Sequence, residues 1–174
     1  MDDRTAVAAQ LGREPRSPVE VVGRCHLAVP VVIAVPPHLD DGTPFPTRYW
    51  LTCPLAQRRI GRLESAGGVK AAEAWIASDP GVQRRFDAAQ ERYAAEREAL
   101  IVTGTPHPPT GGVGGTRYGV KCLHAHYADH AAGNDNPVGQ RTAAEVEPLD
   151  CTTACVVVID GGGERNPDWR EPKR

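Results

Sequence analysis

Long hydrophobic runs are missing from this chain. Its longest apolar stretch, residues 27–37, is interrupted by three prolines and falls well short of the roughly 20 residues that cross a bilayer, so no membrane span is expected. The N-terminus is acidic and then helical in pattern, with neither an apolar stretch nor a small-residue cleavage site. It does not read as a signal peptide, and a cytoplasmic location is expected. An excess of one charge is missing too: 20 Lys and Arg stand against 22 Asp and Glu, a formal net charge of -2. A nucleic-acid partner, which would need a basic face, is therefore not expected. Aromatics make up 5% of the residues, which leaves Val, Leu, Ile and Ala to fill most of a core. Internal repeats are absent as well.

What is present fits one domain: 174 residues are enough to bury a core. Eighteen glycines and sixteen prolines give loops a large share of the chain. Five cysteines, Cys25, Cys53, Cys122, Cys151 and Cys155, are an odd number, and in a reducing compartment they read as thiols or metal ligands rather than disulfides.

The pattern predicts a helix over residues 4–12, capped by Asp2 or Asp3. Strands rich in β-branched residues are expected over 19–24 and 29–35, and a third over 48–53. Pro54 opens a helix that Gly67 and Gly68 end. A second helix covers 69–77. Asp79 and Pro80 start a long helix to about Leu100, with Val82, Phe86, Ala89, Tyr93 and Leu100 along one stripe. Further helices are expected over 119–132 and 140–146, and a last strand over 155–160. The expected architecture is α+β: a small, mostly antiparallel sheet, joined by that last strand, under three or four helices. Residues 1–18 read as a helix and link, 19–160 as the domain, and 161–174 as a disordered tail.

Potential ligands and nucleophiles concentrate in residues 111–139. On a helix starting near Gly119, Cys122, His126 and His130 are spaced i, i+4, i+8 along one side, with His124 roughly opposite. Adjacent members suit a shared metal, as paired histidines do in zinc helices. The ends of the stripe are too far apart for one ion, so further ligands would come from Cys25, His26, Cys53, Cys151 or Cys155. A second reading makes Cys122 a nucleophile in a first helical turn, with His126 as base and the Gly111–Gly115 amides near an anionic substrate. A third has the cysteine and histidines filling a polar-edged core. The spacings leave all three open. Asp40, Asp41 and Asp135 read as turn residues, and Cys151-x-x-x-Cys155 lacks the spacing of common redox and zinc knuckles.

The motifs DGTPFPT (41–47), YWLTCP (49–54), RLESAGG (62–68), KCLHAH (121–126) and NPVG (136–139) occur in that order. Together they resemble the bacterial family of domain of unknown function 501 (DUF501), over about residues 24–139. The resemblance implies no activity, because the family is uncharacterised. It does place Cys25, Cys53, Cys122 and His124 within its motifs, which implies those four as a ligand set. The expectation is thus an accessory or binding protein, with a protein partner, whose Cys/His cluster holds a structural zinc. The alternative is a thiol-dependent enzyme with Cys122 as nucleophile and a histidine base, acting on a small anionic substrate.

Overall fold

The structure, a computed structural model, describes residues 1–159 and 162–173. Its centre is a three-stranded antiparallel sheet of β1 (Glu20–Arg24), β2 (Pro30–Ala34) and β3 (Tyr49–Leu51), with β2 in the middle. Every residue of β2 is buried, as a β-branched run covered on both faces should be. Val32 pairs with Leu51 and Ile33 with Trp50. Alternation along the strands then sends the two pairs to opposite faces. Ile33 and Trp50 pack with Val7 of α1 (Asp3–Leu11). Val32 and Leu51 pack with residues of α2 (Pro54–Ser65), α5 (Leu123–Ala131) and α6 (Pro137–Val146). The order of layers is helix, sheet, helices, and the chain is an α+β domain.

Local chemistry explains most helix boundaries. Asp2 accepts from the Thr5 amide at the start of α1, and Gly12 closes it in the left-handed region at φ 70°. Gly68–Ser78 forms α3. In α4 (Pro80–Glu98), Asp79 accepts from the Gly81 and Val82 amides and Pro80 takes the first turn. The buried stripe of α4 is Val82, Phe86, Ala89, Tyr93 and Arg97. Leu100, expected in that stripe, lies beyond the helix and is 46% exposed, and a buried arginine takes the inward position one turn earlier.

Four further expectations are corrected. The last strand does not join the main sheet. Val156–Ile159 (β4) instead pairs with Gly162–Arg165 (β5) in a separate antiparallel hairpin; Asp160 and Gly161, between them, lie outside the described residues. The reason is local: only Val156 of β4 is buried, and the four residues of β5 supply a nearby partner. This hairpin docks on α1, where the Arg165 guanidinium donates to the Ala9 and Gln10 carbonyls at 3.2 and 3.0 Å. The segment expected to be a disordered tail therefore carries a strand; beyond it, Glu171 ion-pairs with Arg62, and the final residue, Arg174, is outside the described set.

Helix α5 begins at Leu123 and not near Gly119. Gly119 sits at φ 63°, in the left-handed region, and the Val120 amide is spent on Glu73 at 3.1 Å, so the chain enters the helix only at the Cys122 cap. Helix α6 starts three residues earlier than expected, because Asn136 caps it by accepting from the Gly139 amide.

Candidate functional site

Helices α5 and α6 meet face to face, and one buried network joins them. Asp129 is fully buried and ion-pairs with Arg92 of α4 at 2.6 Å. Its oxygens also accept from Asn134 and Asn136 at 3.0 and 2.8 Å. Asn136 Oδ1 takes the Gly139 amide and faces His126 Nδ1 at 3.0 Å. Since that oxygen can only accept, His126 Nδ1 carries the hydrogen. The His126 ring is fully buried and stacked on Phe86, with centroids 5.7 Å apart. Burial lowers its pKa, so it stays neutral, against the smaller upward pull of Asn136 and Asp129. A Cβ on Gly139 would overlap the His126 carbonyl oxygen. The second histidine of the KCLHAH motif and the asparagine and glycine of the NPVG motif thus serve helix packing.

Cys122 faces elsewhere. It caps α5 from an extended conformation and lines a recess of about 380 Å³ with Phe45, Thr47, Tyr49, Trp50, Gln57 and His124. The walls are held by contacts of their own side chains. Phe45 and Trp50 rings lie 5.1 Å apart, the Tyr49 hydroxyl donates to Glu96 at 3.0 Å, and the Gln57 amide donates to the Leu51 carbonyl at 2.8 Å. Burial raises the Cys122 pKa and Glu64 adds to it, outweighing the Ala125 and His124 amides and Lys121, which favour the anion. His124 has Glu64 Oε1 at 3.1 Å from Nδ1 and the Gln57 carbonyl at 3.1 Å from Nε2. Both ring nitrogens face acceptors, Glu64 on one side and the Gln57 carbonyl on the other. The expected nucleophile–base pair of Cys122 and His126 is not formed: His126 belongs to the α4–α6 side and Cys122 to the sheet side.

The glycine-rich loop does not present its amides to a ligand. Arg97, fully buried, donates to the carbonyls of Gly111, Gly112 and Pro46 at 2.6, 3.5 and 3.3 Å. Gln90 accepts the Val113 amide at 2.6 Å, and the Gly112 and Gly115 amides go to Thr116 and Gly112 carbonyls. Gly115, at φ 77°, leaves no room for a Cβ, which would sit 2.6 Å from Pro46. The loop is a brace that holds the Phe45–Pro46 turn beside the recess.

The ligand set Cys25, Cys53, Cys122 and His124 is divided between two places. Cys122 and His124 line the recess. Cys25 and Cys53 instead line a small cavity together with Cys151 and Cys155. Among the described residues, no three His, Cys, Asp or Glu side chains stand close enough to hold a metal as placed. Burial pushes the Cys53 thiol up to about 11, so it is a protonated core thiol capping α2. Sequence reasoning missed a third space, an open groove of about 700 Å³ between α3, α4 and the loop, walled by Phe86, Asp87, Glu91 and Tyr118. Tyr118 is 91% exposed, but no spacing in the sequence marks it.

A family model described as a protein of unknown function, DUF501, matches residues 21–144. The chain belongs to this family. The DUF501 match contains all of the sheet but Glu20, α2 to α5, nearly all of α6 and the whole Cys122 recess, and leaves α1 and the C-terminal hairpin outside. Comparison with curated proteins and with solved structures found no match. No helix among the described residues is long and apolar enough to cross a membrane.

Proposed function

We propose that the chain is a binding protein that receives an aromatic side chain of a protein partner in the recess at Cys122. The observation that carries this reading is a preformed space with aromatic walls and no activated group. Phe45, Tyr49 and Trp50 supply half-exposed rings, the residue types that anchor protein interfaces. Thr47 and Gln57 supply a few polar atoms to orient what enters, the usual make-up of a binding pocket. Cys122 is held protonated by burial, and His124 has both nitrogens engaged.

The test is a titration of N-acetyl-tryptophanamide into isotope-labelled protein, followed by amide chemical shifts. Saturable shifts are expected at Tyr49, Trp50, Gln57 and residues 122–125, and they should vanish in Ala125→Trp, which fills the recess. Shifts that are absent, or that survive in the filled variant, overturn the reading.

One observation favours the enzymatic alternative: Cys122 stands at the N-cap of α5, the position of reactive helix-terminal thiols. Iodoacetamide separates the two readings. A binding pocket predicts slow alkylation of Cys122 at pH 7 that quickens only in the alkaline range, whereas fast alkylation at pH 7 supports a thiol nucleophile.

A further inference from the structure

Four of the five cysteines, from three separate segments of the chain, converge on one cavity. Cys25 follows β1, Cys53 caps α2, and Cys151 and Cys155 lead into the C-terminal hairpin. The cavity is about 10 Å³, room for about one water-sized sphere. Apart from the thiols its walls are apolar, among them Leu27, Val29, Leu55 and Leu149, with Gln10 and Trp169 at the sides.

We propose that Cys25, Cys53, Cys151 and Cys155 form a site for one thiophilic divalent metal of the zinc class, held as a tetrathiolate. This does not rest on the reading of the Cys122 recess, which shares none of these residues.

Two features besides the convergence point to an ion. Hydrogen-bond donors are already aimed at two of the four sulfurs. Trp169 Nε1 donates to Cys151 Sγ at 3.4 Å, and Gln10 Nε2 lies 3.6 Å from Cys155 Sγ. Neutral thiols are weak acceptors and gain little from such donors, whereas metal-bound thiolates need them to offset their charge. The second feature is Gln10, 4% exposed, whose Oε1 has no partner. Such a buried orphan beside a cavity marks a place where something polar belongs.

The backbones that carry the sulfurs are held independently of any ion. His26 Nε2 and the Cys151 carbonyl are 2.9 Å apart. Asn166 donates to the carbonyls of Ala154 and Cys155 at 2.8 and 3.0 Å, and the Cys25 amide donates to the Val29 carbonyl at 3.0 Å. As placed, the four cysteines line the cavity without forming a closed metal site, in which Zn–S bonds of about 2.3 Å put neighbouring sulfurs about 3.8 Å apart. Cys25, Cys151 and Cys155 lie outside helices and strands, so closure asks for side-chain rotation and not for a new fold. Each thiol that ligates gives up its proton to solvent, four protons for one divalent ion.

The experiment is a cobalt(II) titration of the full chain, purified untagged, reduced and stripped of metal under anaerobic conditions. One equivalent should give sulfur-to-cobalt charge transfer and the strong visible bands of a tetrahedral thiolate site, and zinc should bleach them. Cys151→Ser with Cys155→Ser, both in the irregular segment, should abolish the bands while the far-ultraviolet spectrum stays native. Cys122→Ser should leave them unchanged. Trp169→Phe should weaken cobalt binding about 10-fold to 100-fold by removing one donor to sulfur. Folded, reduced protein that shows no charge transfer overturns the proposal. So do bands that survive the double serine variant, or bands lost on Cys122→Ser. A Cys151–Cys155 disulfide in protein purified without reductant, coupled with no cobalt uptake after reduction, overturns it in favour of a redox pair.

Discussion

Replacing Gly139 with alanine separates helix propensity from helix packing at the place where the NPVG motif meets α5. Gly139 lies in the first turn of α6, at a backbone conformation that any residue can adopt. Propensity alone favours alanine over glycine in a helix by up to about 1 kcal/mol. Packing opposes it. The new Cβ would overlap the His126 carbonyl oxygen and lie 2.5 Å from His130 Cβ, and both belong to the rigid body of α5 rather than to a flexible side-chain end. Relief requires α6 to back away, which stretches the 3.0 Å contact between Asn136 and His126. Overpacking of this kind costs about 1–3 kcal/mol, and the weakened buried hydrogen bond about 1 kcal/mol more. After the propensity gain, a net loss of about 2 kcal/mol remains, or a fall of about 4–8 °C in Tm for a chain of this size. The assay is urea and thermal unfolding followed by circular dichroism, with Gly61→Ala as control. Gly61 is inside α2 with nothing within 4 Å of its would-be Cβ, so alanine there should stabilise slightly. If Gly139→Ala is as stable as Gly61→Ala, the close approach of the two helices is not what the glycine is for.

Three further outcomes follow from the buried groups. Arg97→Met should cost about 3 kcal/mol, because the Pro46, Gly111 and Gly112 carbonyls lose a charged donor; urea unfolding measures the cost, and limited proteolysis should cut the freed 111–116 loop first. For His126, burial puts the folded-state pKa below that of the free imidazole, so the unfolded chain takes the proton first as pH falls through about 6.5. Stability should then drop by up to about 1.4 kcal/mol per pH unit until the folded state also protonates, and His126→Gln should show a shallower fall in urea midpoint between pH 7 and pH 5; an identical slope in the two proteins refutes the assignment. Cys122→Ser should change stability by less than about 1 kcal/mol, since the side chain lines an open recess rather than a sealed core; a loss of several kcal/mol measured by the same unfolding assay would give it a structural role.

Most of the secondary structure was legible because it rests on local chemistry. Asp79-Pro80 and Pro54 mark helix starts through caps and fixed φ, and the β-branched run 31–35 marks a buried strand. Legibility failed where a long-range partner decides the outcome. Nothing near Arg97 says that a charged residue turns inward, because its reason is a set of carbonyls on two loops that only the fold brings to it. The strand at 156–159 looked like a central strand by its apolar run alone, yet its partner is the hairpin arm that follows. Gly119 looked like the start of a helix, but a left-handed φ, which any glycine can take and none advertises, delays the helix by four residues.

That four-residue shift is what redistributed the candidate chemistry. With α5 starting at Gly119, Cys122 and His126 would share a helical face one turn apart, and a nucleophile–base pair would follow from spacing. With Cys122 as the cap, its side chain leaves the helix towards β3 while His126 turns to Asn136 and Phe86. The same loss of a shared face removes Cys122 and His124 from any site with Cys25 and Cys53. The two latter thiols then meet Cys151 and Cys155 instead, a grouping that sequence spacing has no means to express because one pair lies inside the family match and the other beyond its end. A metal there would tie the C-terminal hairpin to the loop after β1 and the start of α2, so the segment outside the family match would be part of the stability of the whole chain.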